Sequence, residues 1–184
     1  MATSNLPPQT LSVGTYTFTI SEGGESDIPE FCDVFDIAFA SNLLFNTMSG
    51  TKEAAAEEAK KAPKPEPILG TNSKAQEAFK TQLFEMRDKW LKKDDMYLMN
   101  ILAVLPTYQR LGLSAALLAP VLKLADREGK KTYIEASEAG EKLYRRLGWV
   151  ETGDTISLNF TEFRAEGKVD IPLMMREPGA ANTL

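Results

Sequence analysis

The chain has 184 residues, 43 % of them apolar and 26 % charged, and a formal net charge of −5; this is length for one domain with a proper core and the ordinary balance of a soluble globular protein. One cysteine, Cys32, and no histidine exclude a disulfide framework, metal sites built on Cys/His clusters, and Ser–His or Cys–His nucleophiles. The acidic balance without a basic block argues against duplex nucleic acid, whose binding rests on clustered Lys and Arg, and suits a cationic substrate such as an amine.

Residues 1–14 read as a loose polar leader with Pro7-Pro8, lacking the basic start and apolar run of a signal peptide. No stretch approaches the apolar length of a membrane span, and a cytoplasmic, reducing location is expected. Thr15 to Ser21 alternates Tyr16, Phe18 and Ile20 with threonines, the pattern of a half-buried strand. Asp27, Pro29 and Glu30 mark a helix start, and Phe31, Val34, Phe35, Ala38 and Phe39 follow at helical spacing over roughly 28–40. Cys32 within it reads as a small half-buried filler. Residues 41–49 form a short helix or a loop.

The composition then changes. Residues 51–67 are rich in Ala, Glu, Lys and Pro and nearly free of large apolar side chains, so 51–72 reads as a solvated low-complexity linker inside the domain. Ser73 and Gln76 suggest a capping box, and Ala75, Phe79, Leu83, Met86 and Trp90 form the stripe of an amphipathic helix to about Lys93. Met96 to Leu105 is almost continuously apolar and predicts a strand covered on both faces, ended by Pro106. A helix runs from Gly112 to Glu128, with Ser114, Leu117, Leu118, Val121, Leu122 and Ala125 along one stripe and Gly129 as its stop; Pro120 inside it removes a backbone hydrogen bond. Lys131–Ser137 is a strand and Glu138–Leu147 a short helix closed by Gly148. Strand-like stretches follow at 149–152, 155–160 and 169–175, the last with Pro172 pointing to an edge or a bulge. The unit from 96 to 137 implies a parallel strand pair with its connecting helix on one face. One domain over 15–178 is predicted, followed by a tail at 179–184.

The chemistry gathers where the apolar strand meets the helix. Gln109-Arg110-Leu111-Gly112-Leu113-Ser114 approximates a signature of Gln or Arg, two free positions, Gly, one free position, and Gly or Ala. A helix start offers backbone N–H groups without partners and a partial positive charge, a seat for phosphate. The N–H groups of residues 110 to 115 can point at such a group, and Gly112, with no side chain, lets the backbone come close. Read alone, Gly112 is equally an ordinary turn before a helix. Downstream stand Glu135-Ala136-Ser137 and Leu143-Tyr144-Arg145-Arg146-Leu147-Gly148-Trp149.

This arrangement resembles the GNAT superfamily of acyl-CoA-dependent N-acetyltransferases and looks most like its fungal members. The resemblance runs from about residue 74 to the end and is fainter over 15–49. It implies an α/β fold with a central mixed sheet flanked by helices, acetyl-CoA as co-substrate, no metal, and a small-molecule or peptide amine as acceptor. The pyrophosphate would sit on Gln109, Arg110, Leu111, Gly112, Leu113, Ser114 and Ala115. The pantetheine amides would pair with the backbone of Leu102, Ala103 and Val104, as a peptide pairs with a sheet edge. Tyr144 takes the position of the general acid that protonates the departing thiolate; its alternative is a packed ring on an amphipathic helix. The base is left open between Asn100, Glu135 and a water relay. Ser114 departs from the Gly or Ala of the signature, and its hydroxyl can donate to a phosphate oxygen. The family's second and third strands, expected as a hairpin between Gly50 and Asn72, have no counterpart in the pattern, leaving five or six strands against seven. A degenerate, non-catalytic module that binds an acyl-CoA or a protein partner is therefore the alternative to an enzyme.

Overall fold

A computed structural model describes residues 7–40, 42, 44, 72–92 and 95–181. The predicted linker and the missing hairpin between Gly50 and Asn72 lie outside the described residues. Among them, the threonine-alternating stretch forms β2 (Tyr16–Ile20), but its partner is unexpected. Residues 9–13, read as the end of a leader, form β1 (Gln9–Val13), which pairs antiparallel with β2 around Gly14. At Gly14, φ is +58°, the left-handed turn geometry that glycine adopts without steric cost.

Helix α1 (Ile28–Ala38) has the predicted bounds to within two residues, yet it contributes no buried residue, and Phe31 is 47 % exposed. Cys32 is exposed rather than half-buried. The apolar spacing identified the helix correctly, and Val34, Phe35, Ala38 and Phe39 on that face are half-buried rather than buried.

The main sheet contains β3 (Met96–Leu98), β4 (Lys131–Glu135), β5 (Val150–Asn159) and β6 (Lys168–Arg176) in the order β3-β4-β6-β5. β3 and β4 are parallel, as the 96–137 unit implied, and the other pairs are antiparallel. The result is the expected mixed sheet flanked by helices. β6 is central, so Pro172 is not on an edge. The bulge reading explains it. Pro172 faces Thr155 where the β5 register shifts, so the ladder there is already interrupted, while its carbonyl still accepts from Ala136 N at 2.9 Å.

Helix α2 (Ser73–Trp90) covers one face of the sheet, packing Phe79, Leu83, Met86 and Trp90 against Tyr133, Ile156, Ile171 and Leu173. Its cap is Asn72 rather than Ser73: Asn72 Oδ1 accepts from Ala75 N at 3.1 Å, and Nδ2 donates to Phe163 O at 2.8 Å. Helices α3 (Leu113–Glu128) and α4 (Glu138–Arg146) cover the other face. There Leu118, Leu122, Ile134, Ala136, Tyr144, Leu147, Trp149 and Met174 form one cluster. The inward stripe of α3 is Leu118, Leu122 and Ala125; Leu117 and Val121 stay more than one-third exposed.

Arg176 ties these layers together. It is 1 % exposed at the end of β6. Its Nε donates to Leu147 O at 2.9 Å, its Nη1 and Nη2 meet both oxygens of Asp126 on α3 at 2.6 and 3.1 Å, and Nη2 also reaches Ala180 O at 3.1 Å. Gly179 N donates to Asp126 at 2.7 Å, so the start of the predicted tail is anchored. The Arg176 guanidinium holds the Asp126 carboxyl below the usual carboxylate range. A lowered folded value adds stability at neutral pH that is lost as pH falls below about 4. Asp126→Ala leaves a buried guanidinium without its countercharge. We expect it to lower unfolding free energy by about 3 kcal/mol and to flatten the acid limb of stability, as measured by urea titration from pH 7 to pH 3.

Candidate functional site

The site is built on a fork. Met99 N donates to Tyr133 O at 3.0 Å, and among the described residues no further backbone hydrogen bond joins 100–104 to a neighbouring strand. β4 instead continues along β6, with Ala136 N bonded to Pro172 O. The strand predicted over 96–105 therefore ends at Leu98. Its sequence is apolar because side chains such as Leu102 pack inward, not because its backbone is paired.

Arg87 of α2 bridges the fork. Its Nε and Nη2 reach the two oxygens of Glu135 at 2.8 and 3.0 Å, and Nη2 also donates to Asn100 Oδ1 at 3.0 Å. Glu135 closes β4, and Asn100 is the second residue after β3. Both base candidates thus meet at one guanidinium. The Glu135 side chain, only 9 % exposed, is committed to an ion pair. Arg87 escaped the sequence reading, although a cation directly after Met86, at the border of an apolar stripe, was a signal for a buried partner.

Beyond the fork the chain makes the turn into α3. Tyr108 N donates to Leu105 O at 2.9 Å, and the Gln109 side-chain amide donates to Val104 O at 3.1 Å. Arg110 and Gly112 both have left-handed backbone, φ +62° and +80°. Gly112 is the N-cap of α3, and Ala116 N donates to its carbonyl at 3.1 Å. The N–H groups of Leu113, Ser114 and Ala115 precede that first bond, and no side chain caps them. Leu111, Leu113, Ser114 and Ala115 are half-buried, whereas Gln109, Arg110 and Gly112 are exposed. This is a helix start with donors to spare.

Tyr144 lies on α4, inside the cluster beneath α3. It is 5 % exposed and belongs to the cluster against which Met99 and Leu102 pack. The ring meets Trp149 edge-on at 5.7 Å between centroids. Burial pushes its phenol up to about 12. No hydrogen bond reaches its hydroxyl among the described residues. The sequence left Tyr144 between a general acid and a packed ring; the structure buries it, because Gly148 turns the chain so that Trp149 folds back, with Trp149 N on Tyr144 O at 3.0 Å.

Two hollows flank these features. One of about 450 Å³ runs along Ala103, Val104 and Leu105, between Tyr16, Phe18 and Val34 on one side and Tyr108, Leu113 and Leu117 on the other. A larger one of about 850 Å³ opens at the amino ends of β3 and β4, beside Met96, Lys130 and Lys131. Ligands of open α/β sheets bind outside the carboxyl ends of the parallel strands, and that is the end at which the fork and the α3 start lie. Among the described residues no group of three or more His, Cys, Asp or Glu could hold a metal. No helix among them is long and apolar enough to cross a membrane.

Residues 90–164 match the family model described as an acetyltransferase (GNAT) domain. The resemblance read from the Gln109–Ser114 signature and the Tyr144 helix is borne out by that match. No curated protein matches the chain. Among solved structures, it is similar to a protein described as a GNAT-family acetyltransferase from Desulfovibrio desulfuricans, at 24 % identity over 48 % of this chain and 57 % of that one, with a TM-score of 0.37. It is similar to the ribosomal-protein-S18-alanine N-acetyltransferase of Escherichia coli, at 27 % identity over 48 % of this chain and 57 % of that one, with a TM-score of 0.38. A protein from Corynebacterium glutamicum titled histone acetyltransferase HPA2 and related acetyltransferase has 17 % identity over 97 % of this chain and 100 % of that one, with a TM-score of 0.46. The chain thus spans little more than half the length of the first two. The family match names no subgroup, so the fungal resemblance gains no support.

The ion pair at the fork yields a direct test. Glu135→Gln keeps the shape and removes the charge from a hydrogen-bonded pair, so we expect a loss of about 2 kcal/mol in unfolding free energy. An unchanged urea midpoint would show that the pair contributes nothing.

Proposed function

We propose that this chain, with its GNAT domain match over 90–164, transfers an acetyl group from acetyl-CoA to a small-molecule or peptide amine by direct attack, in a cytoplasmic setting. The observation that carries the reading is a juxtaposition. Uncapped N–H groups at the start of α3, whose Leu113 lines the hollow along 103–105, backbone after Met99 that is unpaired among the described residues and a buried phenol in the cluster against which Leu102 packs all adjoin the segment 99–105.

The roles follow from what each group offers. The N–H groups of Leu113, Ser114 and Ala115 seat the pyrophosphate, assisted by the positive end of the helix and by Arg110 beside the turn. The left-handed backbone at Gly112 aims the turn, and a side chain there is strained at any size. Leu102 and Ala103 offer backbone groups to the pantetheine amides. The carbonyl of Val104 is shared with the Gln109 side chain, which must yield or contribute.

The thioester supplies an activated acetyl group. The amine nitrogen forms the new C–N bond, the C–S bond breaks, and the departing sulfur needs a proton. A phenol held at about 12 would lose free energy by ending as phenolate beside a thiol of about 8.5. Tyr144 therefore acts as a relay: it gives its proton to the sulfur as it receives one from the nitrogen that has just become cationic. Tyr144 ends as it began, and the sum is an amide plus a thiol. Glu135, held by Arg87, is poorly placed to act as base, and a water relay is the better route for any remaining proton.

Isothermal titration should show acetyl-CoA binding, and Gly112→Val should weaken it about tenfold, a loss of about 1.4 kcal/mol; an equal dissociation constant in the variant would refute the seat. Binding without thiol release on any amine would favour the non-catalytic alternative. Tyr144→Phe should lower kcat by about 100-fold with KM for acetyl-CoA unchanged. Because the phenol is raised, the wild-type rate should not fall on the alkaline side below about pH 10; a tyrosine-dependent loss near pH 8 would sink the relay.

A further inference from the structure

We propose that Gly140 is a positioning residue for Tyr144: the bare backbone at 140 is the surface on which the phenol ring lies, and any side chain there displaces the proton relay. The inference rests on the reading of Tyr144 just given and adds a second residue to that site.

Gly140 is the third residue of α4, one turn before Tyr144. Side chains on a helix lean towards its N-terminus, so a ring at position i+4 lies over position i. In this helix the overlap is total. A Cβ at 140 would collide with Tyr144 Cε2 and stand 2.8 Å from both Cζ and the hydroxyl oxygen. The phenol itself, not merely the ring edge, rests against Gly140. Trp149 closes the ring from another side. The ring is thus lodged between a glycine and an indole, with its hydroxyl over the first turn of α4.

Helix propensity makes the choice informative. Alanine is the better residue in a helix, and Gly140 has no left-handed backbone to justify glycine. Glycines 112, 129 and 148 are each explained by positive φ. Gly140 is explained only by the ring above it.

The test compares Gly140→Ala, Tyr144→Phe and their double variant, with Tyr144→Leu as a second background. The Tyr144 chain carrying Gly140→Ala should lose at least tenfold in kcat with KM for acetyl-CoA within twofold. In the Tyr144→Phe chain, adding Gly140→Ala should cost nothing more. Phenol ionisation followed by ultraviolet absorbance should show one tyrosine titrating at lower pH in Gly140→Ala, because the displaced ring meets water. Gly140→Ala should lower Tm in the Tyr144 chain and raise it in Tyr144→Leu, where no ring remains to collide. A raised Tm in the Tyr144 chain with unchanged phenol titration would overturn the proposal. So would full additivity of the two rate losses. Should the wild-type chain transfer no acetyl group, the titration and the Tm comparison still decide whether Gly140 seats the ring, while the catalytic reading of Tyr144 fails separately.

Discussion

The separation of β3 from β4 after Met99 is the constraint on which the rest of the site depends. Two parallel chains that part company leave backbone groups that must find other partners. β4 resolves its side by turning to β6, where Ala136 bonds to Pro172. Among the described residues the other branch, 100–104, gains only the Gln109 amide on Val104. Arg87 holds the fork at its crotch by gripping Glu135 on one branch and Asn100 on the other. A guanidinium suits this place because its planar donors reach two acceptors at once. The fork is therefore a braced structure, with the α3 donors following one branch.

Perturbed ionisation alone would not have identified the Tyr144 ring. Tyr133 is also raised, and further than Tyr144, mainly by burial and by the nearby Glu135 charge. Its hydroxyl is enclosed beside Glu135, with no well-formed hydrogen bond among the described residues. Yet Tyr133 faces α2, in the cluster with Phe79, Leu83 and Met86, while Tyr144 faces α3 and Leu102. Alternate residues of a strand point to opposite faces, and Tyr133 falls on the side away from the α3 start. Burial raises both phenols; only position separates them.

What the sequence made legible was conformational. Gly112 and Gly129 bound α3 with left-handed backbone at both ends, and glycine before and after an apolar periodic run is visible in one dimension. The parallel unit and the Tyr144 helix were legible for the same reason. What it hid was pairing. The leader read at 1–14 contains β1, because a short strand of mixed character is defined by the neighbour it meets and Gln9 to Val13 meets β2. Cys32, expected half-buried on α1, is exposed, since periodicity reports that a helix has an apolar face without saying what covers it. Arg87–Glu135 and Arg176–Asp126 were invisible as pairs, being 48 and 50 residues apart.

The same distinction explains the largest error, the strand expected to reach Leu105. Hydropathy reports burial of side chains and is silent about the backbone. Residues 103–105 are flanked on the outside by the β1–β2 hairpin, whose Tyr16 and Phe18 meet Tyr108 edge-on at 5.9 and 5.7 Å. Each such aromatic pair is worth about 1 kcal/mol beyond its area. On the inside, Leu102 packs beneath α3 with Tyr144. A segment half-buried from two sides acquires the apolar run of a central strand while its amides stay unbonded among the described residues. Apolar side chains fixed on both flanks and backbone groups left open are what a guided, extended ligand needs, and a fully paired strand with the same sequence could not provide them.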